Sequence, residues 1–137
     1  MSVLVDTSVW SAALRRRKVD EESPVVRELR ELIAEGAALM IGPIRQEILS
    51  GIRQARQFES LRELLRPFPD VKLTTADYER AAASFTVCRR QGVQGSNTDF
   101  LICAVAERLQ VAIFTSDDDF THYSELLPIE LHRPRFD

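Results

Sequence analysis

This sequence has little of what soft-metal or thiol chemistry needs. It holds 2 cysteines and 2 histidines in 137 residues. Cys88 and Cys103 each fall within an apolar helical pattern, which reads as two reduced, buried thiols rather than a disulfide framework or a zinc site. His122 and His132 lie near the C-terminus without a nucleophile to serve, and both read as surface histidines. No run approaches the roughly 20 apolar residues of a membrane span. Asp6 breaks the first apolar run too early for a signal peptide. A cytoplasmic protein with no membrane partner is therefore expected. No GxxxxGK[ST] loop is present and no GxGxxG follows a strand, so neither phosphate-cradling motif is available. Lysine is scarce as well: 2 lysines stand against 16 arginines. With a net charge of -3 and a pI of about 5.5, the chain is no generic polyanion binder. Any nucleic-acid partner must be held by a local patch. Arg15-Arg16-Arg17-Lys18 is the one basic run. It reads either as a solvated loop edge or as a contact to a phosphate backbone.

What is present is ordinary globular composition, 45% apolar and 28% charged. Residues 1–137 are expected to form a single domain with its own core. Val3-Leu4-Val5 is a short apolar run ending at Asp6, and Thr7 and Ser8 are good caps for a helix over Thr7 to Arg15. Ser23-Pro24 opens a second helix, which Gly36 stops. Ala38 to Ile41 reads as a second strand. The helix begun by Gly42-Pro43 places Ile44, Ile48 and Ile52 on one face, and Glu47 shares it at i+3. A helix over Gln54 to Arg66 ends at Pro67. Val71 to Leu73 reads as a third strand. Thr74 and Asp77 form a capping box for a helix that ends near Gly92. Phe100 to Ala106 is apolar throughout, as in a helix buried nearly all round, with Asn97 or Thr98 as its cap and Asp99 in its first turn. Val111 to Thr115 is a fourth strand and Leu127 to Leu131 a fifth, at an edge. Alternating strands and helices predict an α/β fold: a mostly parallel central sheet of about five strands, flanked by helices.

Four acids then stand in odd places. Asp6 and Asp117 follow strand ends, and Glu47 and Asp99 sit on helices that enter the same side. Ligand crevices of open α/β sheets lie at that edge. Clustered carboxylates resist simultaneous ionisation, and a divalent cation resolves the conflict. Oxygen donors without His or Cys select Mg²⁺ or Mn²⁺. Asp6, Asp99 and Asp117 would hold the ion. Glu47 would complete the site through water or orient an attacking water. That chemistry points to phosphodiester hydrolysis.

The chain resembles a PIN domain, specifically the VapC-type toxins of toxin–antitoxin pairs. The residues that carry the resemblance are Val5-Asp6-Thr7-Ser8, Glu47 within Pro43 to Gly51, Asp99 within Thr98 to Ala104, and Thr115-Ser116-Asp117-Asp118-Asp119-Phe120. The resemblance implies a Mg²⁺- or Mn²⁺-dependent endoribonuclease, usually a homodimer, silenced by a VapB-type antitoxin. Asp6, Glu47, Asp99 and Asp117 match the family's acidic quartet. Thr7 and Thr115 match supporting hydroxyls, and Asp119 matches a further acid that varies. Cys103 stands where a smaller residue is usual. Two alternatives stay open: a PIN nuclease of RNA or DNA processing outside a toxin–antitoxin pair, and a catalytically silent PIN binding module.

Overall fold

The structure is a computed structural model. It describes residues 1–15 and 18–135. Arg16 and Arg17, half of the basic run, lie outside the described residues.

In chain order the elements are β1 (Val3–Val5), α1 (Thr7–Leu14), α2 (Pro24–Ala34), β2 (Ala38–Leu39), α3 (Gly42–Leu49), α4 (Ala55–Leu65), α5 (Thr75–Arg90), α6 (Asn97–Leu109), β3 (Ala112–Phe114) and α7 (Asp119–Leu126). The sheet order is β2-β1-β3, and both pairings are parallel. β1 is central and fully buried, as its apolar run requires. Parallel strands with crossover helices are buried on both faces, which is why these runs do not alternate.

The expected five strands reduce to three among the described residues. Val71 to Leu73 is not a strand, and neither is Leu127 to Leu131. Each outer place holds a single parallel bridge, Met40 to Asp70 on one side and Ile113 to Leu131 on the other. Both segments lie at edges beside prolines, Pro67 and Pro69 before the first and Pro128 within the second. Proline donates no ladder hydrogen bond and is confined to such edges.

α6 fulfils its apolar reading: every residue from Phe100 to Ala106 is buried. Each fully buried large apolar side chain contributes roughly 1.5–3 kcal/mol of transfer free energy, so this helix anchors the core. It packs most extensively against α5. Its cap is Ser96 rather than Asn97 or Thr98, with the Asp99 amide donating to Ser96 Oγ at 3.1 Å. At α1 the cap position belongs to Asp6, not Thr7 or Ser8, and the Asp6 side chain makes no capping bond. It is thereby left to point elsewhere. The Thr74/Asp77 capping box forms as predicted. On α5 the stripe is partly outward: Ala81 and Cys88 are buried, while Tyr78 is exposed. Both cysteines are free and buried, and burial pushes both thiols up. That agrees with inert, reduced thiols.

His132 corrects its surface reading. Its Nε2 lies 2.7 Å from Glu28 Oε2, and its ring meets Phe114 edge-on. Glu28 is completely buried, and it also accepts from the Arg135 guanidinium and backbone amide. The C-terminal segment is thus latched onto α2 by a carboxylate the helical pattern had hidden. His122, by contrast, is exposed.

Candidate active site

β1 and β3 run parallel, so their carboxyl ends open on the same edge. Asp6 follows β1 and Asp117 lies three residues beyond β3. The Asp6 amide donates to the Phe114 carbonyl at 2.8 Å, which extends the ladder by one residue and fixes the Asp6 backbone. α3 brings Glu47 to this edge, and the first turn of α6 brings Asp99. All four acids line one cleft of about 540 Å³, with Thr7, Ser8, Gln46, Ser50 and Thr98. Glu47 is exposed while its helix neighbours Ile44 and Ile48 are buried, so it stands at the rim of the core where cleft meets solvent.

Hydroxyls hold these acids. Asp6 is buried, with 5% of its surface exposed. Its Oδ2 accepts from Ser8 Oγ and from Thr115 Oγ1, both at 2.8 Å. Thr115 Oγ1 in turn accepts from the Asp117 amide at 3.0 Å. One threonine therefore ties the two strand-end acids together, across 109 residues of sequence. Thr7 Oγ1 donates to Glu47 Oε1 at 2.6 Å. The Asp119 amide donates to Asp117 Oδ1 at 2.9 Å, fixing the turn into α7.

Asp99 has a partner that the sequence did not announce. Tyr123, fully buried on α7, donates its hydroxyl to Asp99 Oδ2 at 2.6 Å. Space for that hydroxyl depends on Gly95, where an added Cβ would fall 2.2 Å from Tyr123 Oη. Ser8 and Ser96 were equally unforeseen as supports. Hydroxyls carry no periodic signature, although Tyr123 does follow buried Phe120 at i+3.

The electrostatics are those of a site short of positive charge. Burial raises Asp99 above the usual carboxylate range, and the charges of Asp6 and Asp117 push the same way. The Tyr123 and Ser96 hydrogen bonds pull against them. Tyr123 is itself pushed up by burial and by Asp99. No cleft acid forms an ion pair among the described residues. Asp99, Asp117 and Asp119 each offer a carboxylate oxygen, and the three lie within 4.8 Å of one another. Oxygen donors this close, with no cation of the protein's own against them, fit a hard divalent ion. This trio includes Asp119, where the sequence pattern points to Asp6 with Asp99 and Asp117. Asp6 lies in the same cleft with one oxygen already taken by two hydroxyls.

A parallel α/β sheet whose strand ends and flanking helices deliver unpaired carboxylates into one cleft defines a class of acidic-site α/β proteins. Within that class, the chain belongs to the PIN domain family, whose profile matches residues 3–126. It is 34% identical over 122 residues to VapC ribonuclease Mb1587 of Mycobacterium bovis and to ribonuclease VapC11 of Mycobacterium tuberculosis. Those alignments cover 86% of this chain and 88% of each relative. Among solved structures it is similar to FitAcB of Neisseria gonorrhoeae, with a TM-score of 0.75, 20% identity and coverage of 96% and 97% of the two chains. It is also similar to VapBC2 of Rickettsia felis bound to a promoter DNA fragment, with a TM-score of 0.76, 14% identity and coverage of 96% and 98%. These two likenesses establish the fold.

Proposed function

We propose that residues 1–137 act as one PIN domain that cuts RNA, and that it is the toxin of a toxin–antitoxin pair. The observation that carries the reading is the cluster of cleft acids left without a cationic partner. The names of the relatives at 34% identity support RNA as the substrate. Asp6, Glu47, Asp99 and Asp117 are the catalytic acids on this reading, with Thr7 and Thr115 as their supports. Asp99 and Asp117, with Asp6 or Asp119, would hold Mg²⁺ or Mn²⁺. When bound, that ion supplies a water of lowered pKa and neutralises charge on the phosphoryl oxygen. Glu47, at the open rim, would accept a proton from an attacking water on this reading. Thr7 fixes its orientation. Tyr123 and Ser96 hold the Asp99 carboxylate in one pose, and Thr115 sets the separation of Asp6 and Asp117.

The same reading gives the chain a second copy of itself and a small VapB-type antitoxin as partners. Its structural neighbours include a toxin–antitoxin complex from Klebsiella pneumoniae and VapBC2 of Rickettsia felis, which supports that reading. No described helix is long and apolar enough to cross a membrane. The deciding experiment is RNA cleavage with Mn²⁺ by the wild type and by Asp6→Ala and Asp99→Ala. Activity that vanishes in both variants is expected. Equal activity in all three would assign it to a contaminating nuclease and remove the reading.

A further inference from the structure

A polyanion cannot be held by the acid cleft alone. None of the residues lining it is Arg or Lys, and its carboxylates repel a phosphate chain at every point the metal does not cover. Positive charge has to come from beside it. Several described arginines are already committed to structure, Arg30 to Glu21 and Arg62 to Glu59 among them. Arg45 is tied to Asp70 and to the Leu65 and Phe68 carbonyls, Arg108 to Asp77, Arg135 to Glu28, and Arg80 to Glu107. Arg15 and Arg53 have no carboxylate or carbonyl partner among the described residues; Arg56, Arg66, Arg89, Arg90 and Arg133 share that, but only Arg15 and Arg53 line one of the described clefts.

Both line a single cleft of about 850 Å³, with Gly51, Gln54 and Gln57. This cleft adjoins the acidic one through consecutive residues, since Ser50 lines the first and Gly51 the second. The two are brought together by the C-terminal end of α1 and the turn between α3 and α4. Gly51 has φ of +81°, the left-handed backbone that favours glycine, and turns the chain where the two clefts meet. Three other clefts formed by described residues offer no such charge. The α5–α6 groove is lined by Tyr78, Phe85 and Phe100, a third cleft by Glu107 and Glu130, and a small hollow by Asp119 and His122.

We infer that the Arg15–Arg53 cleft is the track for the single-stranded RNA leading into the acid cleft, with the two guanidiniums on successive phosphates. This rests on the proposed reading of the acid cleft as the place where RNA is cut. Guanidinium suits phosphate through paired N–H donors. Gln54 and Gln57 supply amides that a ribose hydroxyl or base edge can meet, without imposing a sequence. Arg15 and Arg53 are positioning residues on this account, remote from the reacting atoms.

The test uses the full chain and a labelled single-stranded RNA oligonucleotide of mixed sequence. Binding is read by anisotropy in EDTA, where hydrolysis is off, across a salt series. R15Q/R53Q is expected to weaken binding about tenfold and to lower the slope of log K against log salt by about 1.4, about 0.7 for each lost single-strand contact. R15K/R53K, which keeps charge and stem, is expected to restore the slope. With Mn²⁺ present, R15Q/R53Q raises KM about as much as it weakens binding and leaves kcat within about twofold, as loss of uniform binding requires. An unchanged Kd and slope in a folded R15Q/R53Q overturns the track and leaves the nuclease reading standing. A wild type that binds through these arginines and cuts nothing keeps the track and overturns the nuclease reading. An acidic peptide whose binding falls in R15Q/R53Q while RNA binding does not would assign the cleft to a protein partner and overturn the RNA track.

Discussion

Glu28 and Asp77 are as buried as any acid described in this protein, yet their chemistry is the reverse of that in the cleft. Asp77 accepts from Arg108 Nε at 2.8 Å and Nη2 at 2.9 Å, and from the Thr74 amide at 2.9 Å. Glu28 accepts from Arg135 through side chain and backbone and sits against His132. Burial pushes the Glu28 carboxyl up, but Arg135 and His132 together outweigh it and hold the group below its usual range. The Arg108 guanidinium does the same for Asp77. Asp99 has a phenol and a serine in place of a guanidinium, and it is raised. Burial alone therefore separates nothing. The partner decides whether such an acid is held ionised by a cation of the protein's own or left with hydroxyls alone.

That contrast is exposed to experiment. The largest effect is expected for Asp99→Asn. Activity should fall about a thousandfold, equivalent to roughly 4 kcal/mol of transition-state stabilisation. The metal-free protein should melt no lower than wild type, because a like-charge repulsion is removed. A variant that melts well below wild type would make Asp99 a fastener of the fold. Glu28→Gln should give the opposite result: full RNA cleavage, but a urea midpoint reporting a loss of about 2 kcal/mol from charge-assisted hydrogen bonds. If its cleavage fell with its stability unchanged, the comparison would break from the other side. Next is added Mg²⁺ or Mn²⁺. It should raise the melting temperature of wild type, through up to about 2.7 kcal/mol of linked stability at a hundredfold excess over Kd. The same shift should appear in Glu28→Gln and be much reduced in Asp99→Asn.

The pH dependence separates the two sets by sign. Glu28 and Asp77 have lowered pKa values in the folded state, so the stability they contribute is complete above the ordinary carboxylate range. It is lost as pH falls through their lower folded values. Asp99 is raised, so its ionisation removes stability as pH climbs through and above that range. Urea midpoints from acid to neutral pH should therefore lose part of their low-pH fall in Glu28→Gln. In Asp99→Asn they should gain at neutral pH. The smallest effect belongs to Tyr123→Phe. It should weaken metal affinity or cleavage by about tenfold, the scale for groups that orient a ligand, with the fold kept. No change would reduce Tyr123 to packing.

How far the sequence foretold this depends on the kind of signal. β1, β2, β3 and α6 were legible because continuous apolar runs and helical phase belong to the residues themselves. The outer strands were not, because an edge segment bears the same residue types whether it makes a full ladder or the single bridges at Asp70 and Leu131. The cleft acids could be found because each interrupts or flanks an apolar element. Glu28 carried the same kind of signal, lying three residues after Val25 and four before Leu32 on the buried face of α2. It was obscured by the charged residues around it. Asp77 was recognised only as half of a capping box, since Arg108 lies 31 residues away. The hydroxyl supports Ser8 and Tyr123 depend on geometry formed only after the sheet closes. Asp119 entered as a supporting acid and lies with Asp99 and Asp117 because the turn into α7 folds back on Asp117.

The bond from Thr115 to Asp6 has a consequence for how the molecule comes into being. On the ribosome, Asp6 emerges early and waits. β1 has no neighbour on its β3 side until residues 112–114 are made, and Asp6 lacks one of its two hydroxyl partners until Thr115 follows. Asp117, Asp119 and Tyr123 come later still. A chain stalled before that point holds the acids of its N-terminal half in no common frame. The cleft therefore cannot close until residues 115–123 have been made, long after Asp6.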